Sequence, residues 1–235
     1  MNWETNGILV VDKDPGWTSH DVCALVRNRF KIEKVGHAGT LDPMATGVLV
    51  LLLGQATKLS AEFSSSDKEY TGSLELGITT DSYDLSGKVV QKTDWNHISE
   101  EAVRSSFKKF EGVIEQTPPM VSAVKHQGVR LYRLARAGKT VERQKRTVTV
   151  HELRIESIEL PKSRFFARVS KGTYLRSLVH DLGCELGVGA TLAELRRTRS
   201  GQFSLEGAVK AEALKKMSRE ELAPLVKSLT QVAVS

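Results

Sequence analysis

The sequence predicts a mixed-sheet α+β fold, and three observations point to it. Apolar runs of strand length and stretches of helical period follow one another without the regular strand-helix-strand rhythm of a doubly wound sheet. One run, Gly47 to Leu53, is continuously aliphatic, the pattern of a strand covered on both faces. The 235 residues are 40% hydrophobic, 26% charged and 6% aromatic, a globular profile with enough chain to bury a sizeable core without disulfide or metal staples.

Gly7 to Val11 is a short apolar run ended by Asp-Lys-Asp-Pro-Gly, a strand entering a turn. Thr18 or Ser19 then caps a helix, because Val22, Leu25, Val26 and Phe30 recur at three- and four-residue intervals to about Phe30. A loop rich in Gly, His and Pro, residues 36–46, delivers the chain into the central strand from Gly47 to Leu53. Glu69 to Gly77 alternates as a half-buried strand, and Thr79 to Gly87 is an acidic turn. Ser99 caps a second helix carrying Val103, Phe107 and Phe110. Further strands are expected at 147–158 and 165–169, a helix at 173–186, and two short helices after Val209. With no internal repeat, low-complexity tract or Gly/Ser linker, one catalytic-sized body is the simplest division, with 1–205 as the main domain and 206–235 as a short helical tail.

Several function classes lose their footing. The longest aliphatic run, Val48 to Leu53, is far short of the roughly 20 residues that cross a bilayer, so no membrane partner is expected. The start, Met1 to Asn6, has neither the basic opening nor the apolar stretch of a secretory signal, and a cytoplasmic location is the expectation. Cys23 and Cys184 build neither a disulfide framework nor a CxxC motif and read as small buried apolar residues. The six histidines form no HxH or HExxH pattern, so no metal is expected. A Walker loop, a GxGxxG and a GxSxG elbow are all lacking.

The charge is unevenly placed. The protein carries a net +6, yet residues 125–146 hold eight basic residues against the single acid Glu142, a net +7, and the rest sums to −1. Such a segment either lies along a phosphate backbone or is a solvated face. A smaller cluster is Arg196, Arg197 and Arg199. For chemistry, what remains is a carboxylate. Asp42 lies between two glycines, Gly39 and Gly47, with Pro43 stiffening the turn just after it, so it is either a presented catalytic acid or an Asx-type turn residue.

At this loop, Gly36-His37-Ala38-Gly39-Thr40-Leu41-Asp42-Pro43-Met44-Ala45-Thr46-Gly47-Val48-Leu49 closely resembles the catalytic motif of TruB-type tRNA pseudouridine synthases. Four other segments agree in the family's order. Gly7 to Gly16 (GILVVDKDPG) looks like its N-terminal strand and lysine-containing turn, although Asp14 here separates Lys13 from Pro15. Asp67-Lys68-Glu69-Tyr70 is similar to its tyrosine motif. Ser122 to Lys125 through Tyr132 and Gly138 looks like its RNA-facing segment, and Ser170 to Arg176 like its arginine motif.

The resemblance implies the pseudouridine synthase fold: a largely antiparallel central sheet with flanking helices and a basic RNA-facing insertion. It implies isomerisation of uridine to pseudouridine in the tRNA T loop, at tRNA position 55, with no cofactor and with base flipping. Asp42 would be the nucleophile and Arg176 its cationic partner. Tyr70 would stack on the target base and assist proton transfer at C5, Tyr174 would be a second pocket aromatic, and His37 would fill the space the base vacates. Lys13 and Leu195 would be peripheral pocket positions, and Asp81 and Asp84 would order an acidic loop. Lys125, Arg130, Arg133, Arg136 and Lys139 would bind RNA, the tRNA T-arm being the partner of a monomeric enzyme. Many relatives also carry a C-terminal PUA-type domain, for which 206–235 is too short. The alternatives are a pseudouridine synthase acting on another RNA, an RNA-binding or RNA-folding module of the same fold, and a hydrolase pairing Asp42 with Asp81 or Asp84.

Overall fold

A computed structural model describes residues 6–230 and Val232. In chain order the elements begin with β1 (Gly7–Lys13), α1 (Ser19–Phe30), β2 (Val35–His37), β3 (Thr46–Leu53), α2 (Ser60–Ser64) and β4 (Lys68–Leu76). They continue with β5 (Ile78–Thr80), β6 (Val89–Lys92), α3 (Glu100–Lys109), β7 (Gly112–Gln116), β8 (Lys125–His126), β9 (Val129–Arg130) and α4 (Leu131–Arg136). The last are β10 (Arg146–Glu159), β11 (Lys162–Val169), α5 (Leu175–Glu185), β12 (Ala190–Ser200), β13 (Phe203–Ser204), β14 (Val209–Lys210), α6 (Ala211–Leu214), α7 (Arg219–Leu222) and β15 (Val226–Lys227). The chain forms two compact units, one running to Tyr70 and resuming at Leu195, the other Thr71–Glu194, and it passes between them within β4 and within β12.

The first unit is built on β1 and β3, paired antiparallel from Gly7 opposite Leu53 to Lys13 opposite Gly47. Apart from half-buried Thr46, every residue of both strands is buried, as the aliphatic runs require. Ile8, Val10, Val48, Val50 and Leu52 share one core with Ala38, Ala56, Phe63 and Phe203, where Phe63 and Phe203 meet ring to ring at 5.9 Å. On its far edge β1 takes β14 in parallel and β15 antiparallel, so the stretch after 206 supplies two short strands besides its two helices. α1 starts at a full capping box, Thr18 and Asp21 each bonding the other's backbone, and ends at Lys31 in the left-handed region.

The second unit carries strands in the order β4-β11-β10-β7, with β10 antiparallel to both β11 and β7. α3, capped by Ser99, lays Phe107 against Phe165 at 6.2 Å. The sheet is therefore mixed and largely antiparallel, the parallel pairs including β1 with β14 and β3 with β12.

Several elements lie where the sequence reading placed none, among them β12, β2 and β7. β12 lies where the sequence shows ATLAELRRTRS, a charged stretch that hides a strand because Arg197 is satisfied on neighbouring backbone while Arg196 and Arg199 pair with Asp12 and Glu69. β2 occupies the start of the expected loop, and β7 precedes the proline pair without a marked alternation. Cys23 is buried, its thiol pushed up to about 12 by burial, but Cys184 is exposed on α5 with its Sγ 3.7 Å from His180 Nε2. The expectation of a buried Cys184 fails because it falls on the outer face of that helix.

Register is enforced at one point by contact between backbones. Gly47 has φ +99°, and a β-carbon added there would lie 2.2 Å from the carbonyl oxygen of Arg197. Both the conformation and the space exclude a side chain. Gly47→Ala is expected to lower the unfolding free energy by about 2–4 kcal/mol, read as a lower urea midpoint at unchanged slope.

Candidate active site

Asp42 lies half-buried in the turn between β2 and β3, and the first unit fixes this turn from four directions. On its N-terminal side, Ser19, itself buried at the start of α1, accepts from the Leu41 amide at 2.8 Å and donates to the Leu41 carbonyl at 3.2 Å. On its C-terminal side, the Pro43 carbonyl accepts from the Gly16 amide at 2.8 Å and from Lys13 Nζ at 3.2 Å. Within the turn, the Ala45 amide donates to the Asp42 carbonyl at 3.1 Å. From β12, the guanidinium of Arg197 donates to Val48 at 2.7 Å, Gly39 at 3.1 Å and Thr40 at 3.4 Å, all through their carbonyls. The backbone on both sides of Asp42 is thus held in place, and the residue itself is half-buried.

Two of these anchors are buried cations. Arg197 is 1% exposed and Lys13 0%. Lys13 Nζ also donates to Trp17 O at 2.8 Å and Asp14 O at 3.0 Å, so its three ammonium protons have three carbonyl acceptors. Burial pushes Lys13 down to about 8, partly offset by the nearby charges of Asp42 and Asp14. Beside it, burial works to raise Asp12, but Arg196 at 2.9 Å and Lys210 at 2.6 Å outweigh that effect and hold its carboxyl below the usual range.

In the second unit a third buried cation, Arg176, organises the start of α5. Its Nη1 donates to Ser82 O and its Nη2 to Val121 O, both at 2.8 Å, and its Nε lies 3.5 Å from Asp84 Oδ2. Asp84 in turn accepts from Ser82 Oγ at 2.8 Å, the Ser86 amide at 3.0 Å and Ser86 Oγ at 2.5 Å, and Asp81 accepts from the Lys88 amide at 2.9 Å. Both acids order the loop. Tyr174 directly precedes the helix, with its backbone N–H and C=O bonded to the side chain of Gln116.

The basic segment folds as the β8–β9 hairpin followed by α4, and Lys125, Arg130, Arg133, Arg136 and Lys139 all lie exposed on it. At its base is a cavity of about 590 Å³ lined by residues including Lys125, His126, Arg143 and Arg146. Among the described residues no three of His, Cys, Asp and Glu come together as a metal site, and no helix is long and apolar enough to cross a membrane.

A family model described as TruB family pseudouridylate synthase (N terminal domain) matches residues 27–175, and one described as tRNA pseudouridylate synthase B C-terminal domain matches residues 176–232. The chain belongs to the TruB pseudouridylate synthase family. The tRNA pseudouridine synthase B of Geobacter sulfurreducens is 47% identical over 213 residues, 91% of this chain and 70% of that protein. That of Opitutus terrae is 44% identical over 232 residues, 99% of this chain and 96% of the relative. Among solved structures, a chain of a Cbf5-Nop10-Gar1 complex aligns at a TM-score of 0.74 and 31% identity, covering 97% of this chain and 61% of that one. A chain of an H/ACA RNP bound to a substrate RNA containing 2′-deoxyuridine aligns at 0.68 and 31% identity, covering 91% and 54%. This chain therefore spans between a half and two thirds of those solved chains.

The TruB fold places the expected residues in two groups. Asp42, Lys13, His37, Tyr70 and Leu195 belong to the first unit, while Tyr174, Arg176 and the basic residues belong to the second. Lys13 meets the Asp42 turn directly, His37 sits on β2 opposite Leu51, Tyr70 is buried in β4, and the Leu195 carbonyl faces Thr46 Oγ1 at 3.5 Å. The arginine cluster of β12 is not one exposed patch: Arg197 is internal, Arg196 pairs with Asp12, and Arg199 lies 3.5 Å from Glu69. Sequence reasoning missed Ser19, Arg197 and Gln116. Ser19 was visible only as a cap, and a buried arginine is indistinguishable from a surface one by composition.

The sign of the Lys13 effect can be tested. With a folded value near 8 and an ordinary value of 10.5, the native state sheds the proton first as pH rises, so the unfolded state holds more protons between those values. The unfolding free energy of the wild type should rise relative to Lys13→Met between pH 8 and 10.5, measured by urea titration at several pH values. A difference that is flat in pH would contradict the buried ammonium.

Proposed function

We propose that this chain converts uridine to pseudouridine in the T loop of tRNA, at tRNA position 55, with Asp42 as nucleophile. The observation that carries the reading is the Asp42 turn, a carboxylate on backbone locked by Lys13, Gly16, Ser19 and Arg197, inside the stretch matched to the family. The reaction breaks the bond between N1 and C1′, turns the uracil, joins C5 to C1′ and moves one proton from C5 to N1. No atom or electron is gained or lost, so the balance calls for no cofactor. Tyr70 stacks on the base and takes part in proton transfer at C5. Tyr174, Arg176, His37, Lys13 and Leu195 are the further substrate-binding residues.

The target uridine lies within a folded loop and must be flipped out, at a cost offset by contacts to the RNA backbone. The exposed Lys125, Arg130, Arg133, Arg136 and Lys139 supply those contacts, the rest of the chain being close to neutral. The protein acts as a monomer on the T-arm, with 1–205 as its catalytic domain and 206–235 as a short tail. A second reading, a different RNA as substrate, is favoured by the alignment with the chain of the H/ACA RNP.

Two experiments test this. Mapping by carbodiimide labelling and primer extension on an unmodified tRNA transcript should give one new pseudouridine in the T loop with wild type and none with Asp42→Asn, whose RNA affinity should stay within about threefold. Pseudouridine made at the wild-type rate by the variant would remove Asp42 from the chemistry, and product only in other RNAs would favour the second reading. Neutralising Arg133, Arg136 and Lys139 together should reduce the slope of log affinity against log salt by about 2 to 3. An unchanged slope would take the segment off the RNA path.

A further inference from the structure

β7 lies at one end of the strand order, and most of its side chains are exposed, with Val113 at 72%. Its last residue is the exception. Gln116 is completely buried, and a buried amide is costly unless both its ends are satisfied. Both ends are spent on one residue: Oε1 accepts from the Tyr174 amide at 2.7 Å, and Nε2 donates to the Tyr174 carbonyl at 3.0 Å. The same carbonyl also accepts from the Leu178 amide at 3.0 Å, the first hydrogen bond of α5, while the side chain of Tyr174 supplies no cap to that helix. The next residue adds a second tie, Ser177 Oγ donating to Thr117 O at 2.8 Å. A third follows at Val121, whose carbonyl receives Arg176.

We propose that Gln116 is a positioning residue for the reaction, fixing the backbone of Tyr174 and with it the direction in which Tyr174 and Arg176 leave the start of α5. The inference rests on the functional reading above, in which those two side chains meet the substrate. Gln116 touches no substrate itself. Two parallel hydrogen bonds to one peptide residue fix orientation as well as distance, which a single bond or apolar packing does not. The first turn of a helix is also where the backbone frays most readily. A displacement there of about 1 Å is enough to cost a reacting constellation up to about a hundredfold in rate.

The test uses Gln116→Met, which keeps length and approximate volume and removes both hydrogen bonds. With enzyme in excess over a T-arm RNA, the single-turnover rate should fall by about tenfold or more, while the dissociation constant stays within about twofold. Hydrogen exchange read by mass spectrometry should quicken at the Tyr174 amide and the turn that follows. Gln116→Asn, which keeps the amide but draws it back from Tyr174 by one methylene, should move both readouts in the same direction, and it decides the matter if Gln116→Met does not fold. A wild-type rate with unchanged exchange at Tyr174 would overturn the proposal. So would weakened affinity and thermal stability with an unchanged rate at saturation, the result of a merely structural role. If wild type forms no pseudouridine in any RNA, the functional reading falls, and the exchange at Tyr174 still reports whether Gln116 holds that residue.

Discussion

A buried guanidinium carries five N–H donors and no acceptor, and it cannot shed its charge at any ordinary pH, so the surrounding backbone must come to it. Arg197 imposes this condition on the first unit. Its donors are met by carbonyls of Gly39, Thr40 and Val48, which belong to the turn around Asp42 and to the strand that follows. The contact is reinforced where β12 runs parallel to β3, with the Arg197 backbone against Gly47. Breaking one of these bonds leaves a charged donor without a partner in a dry interior, which is far costlier than losing an exposed ion pair. The position of the turn is therefore tied to the integrity of the core, and Lys13 applies the same constraint from the other side by placing its ammonium on Trp17, Asp14 and Pro43.

The second unit repeats the device with different acceptors. Arg176 reaches two carbonyls and a carboxylate, and Asp84, which supplies that carboxylate, has its other oxygen occupied by Ser82 and Ser86. The loop is strained to make this possible: Tyr83, between Ser82 and Asp84, has φ 65°, and its ring stacks on His180 at 3.8 Å. Charge in both units is thus used first to shape backbone. The ion pairs at the surface, such as Arg104 with Glu100 and Lys145 with Glu115, contribute little by comparison.

How much of this was legible in the sequence depended on the kind of signal each residue gives. β1, β3 and α1 could be placed because continuous aliphatic runs and apolar residues at helical spacing behind a Thr-Ser cap are local patterns with one common structural outcome. β12 could not, because Arg196, Arg197 and Arg199 read as surface charge until their partners, remote in sequence, are known. Asp42 stood out only through its motif, since an Asp before Pro in a glycine-bounded loop has an equally good reading as a turn residue. The basic segment was legible as charge, and the structure leaves its five named cations exposed. Gln116 gave no signal at all, because what distinguishes it is the pairing of its amide with a residue 58 positions away.

The distance in sequence between the Asp42 turn and Arg197 has a consequence for biosynthesis. Arg197 contacts Gly39 across 158 positions, so an N-terminal stretch emerging from the ribosome can pair β1 with β3 long before the residue that locks the turn has been made. Until β12 arrives, the carbonyls of Gly39, Thr40 and Val48 face water or nascent chain, and the loop carrying Asp42 samples many arrangements. The site is thus assembled only after β12 has been made, and a chain released before that point would keep the recognisable motif around Asp42 without the geometry that gives the motif its use.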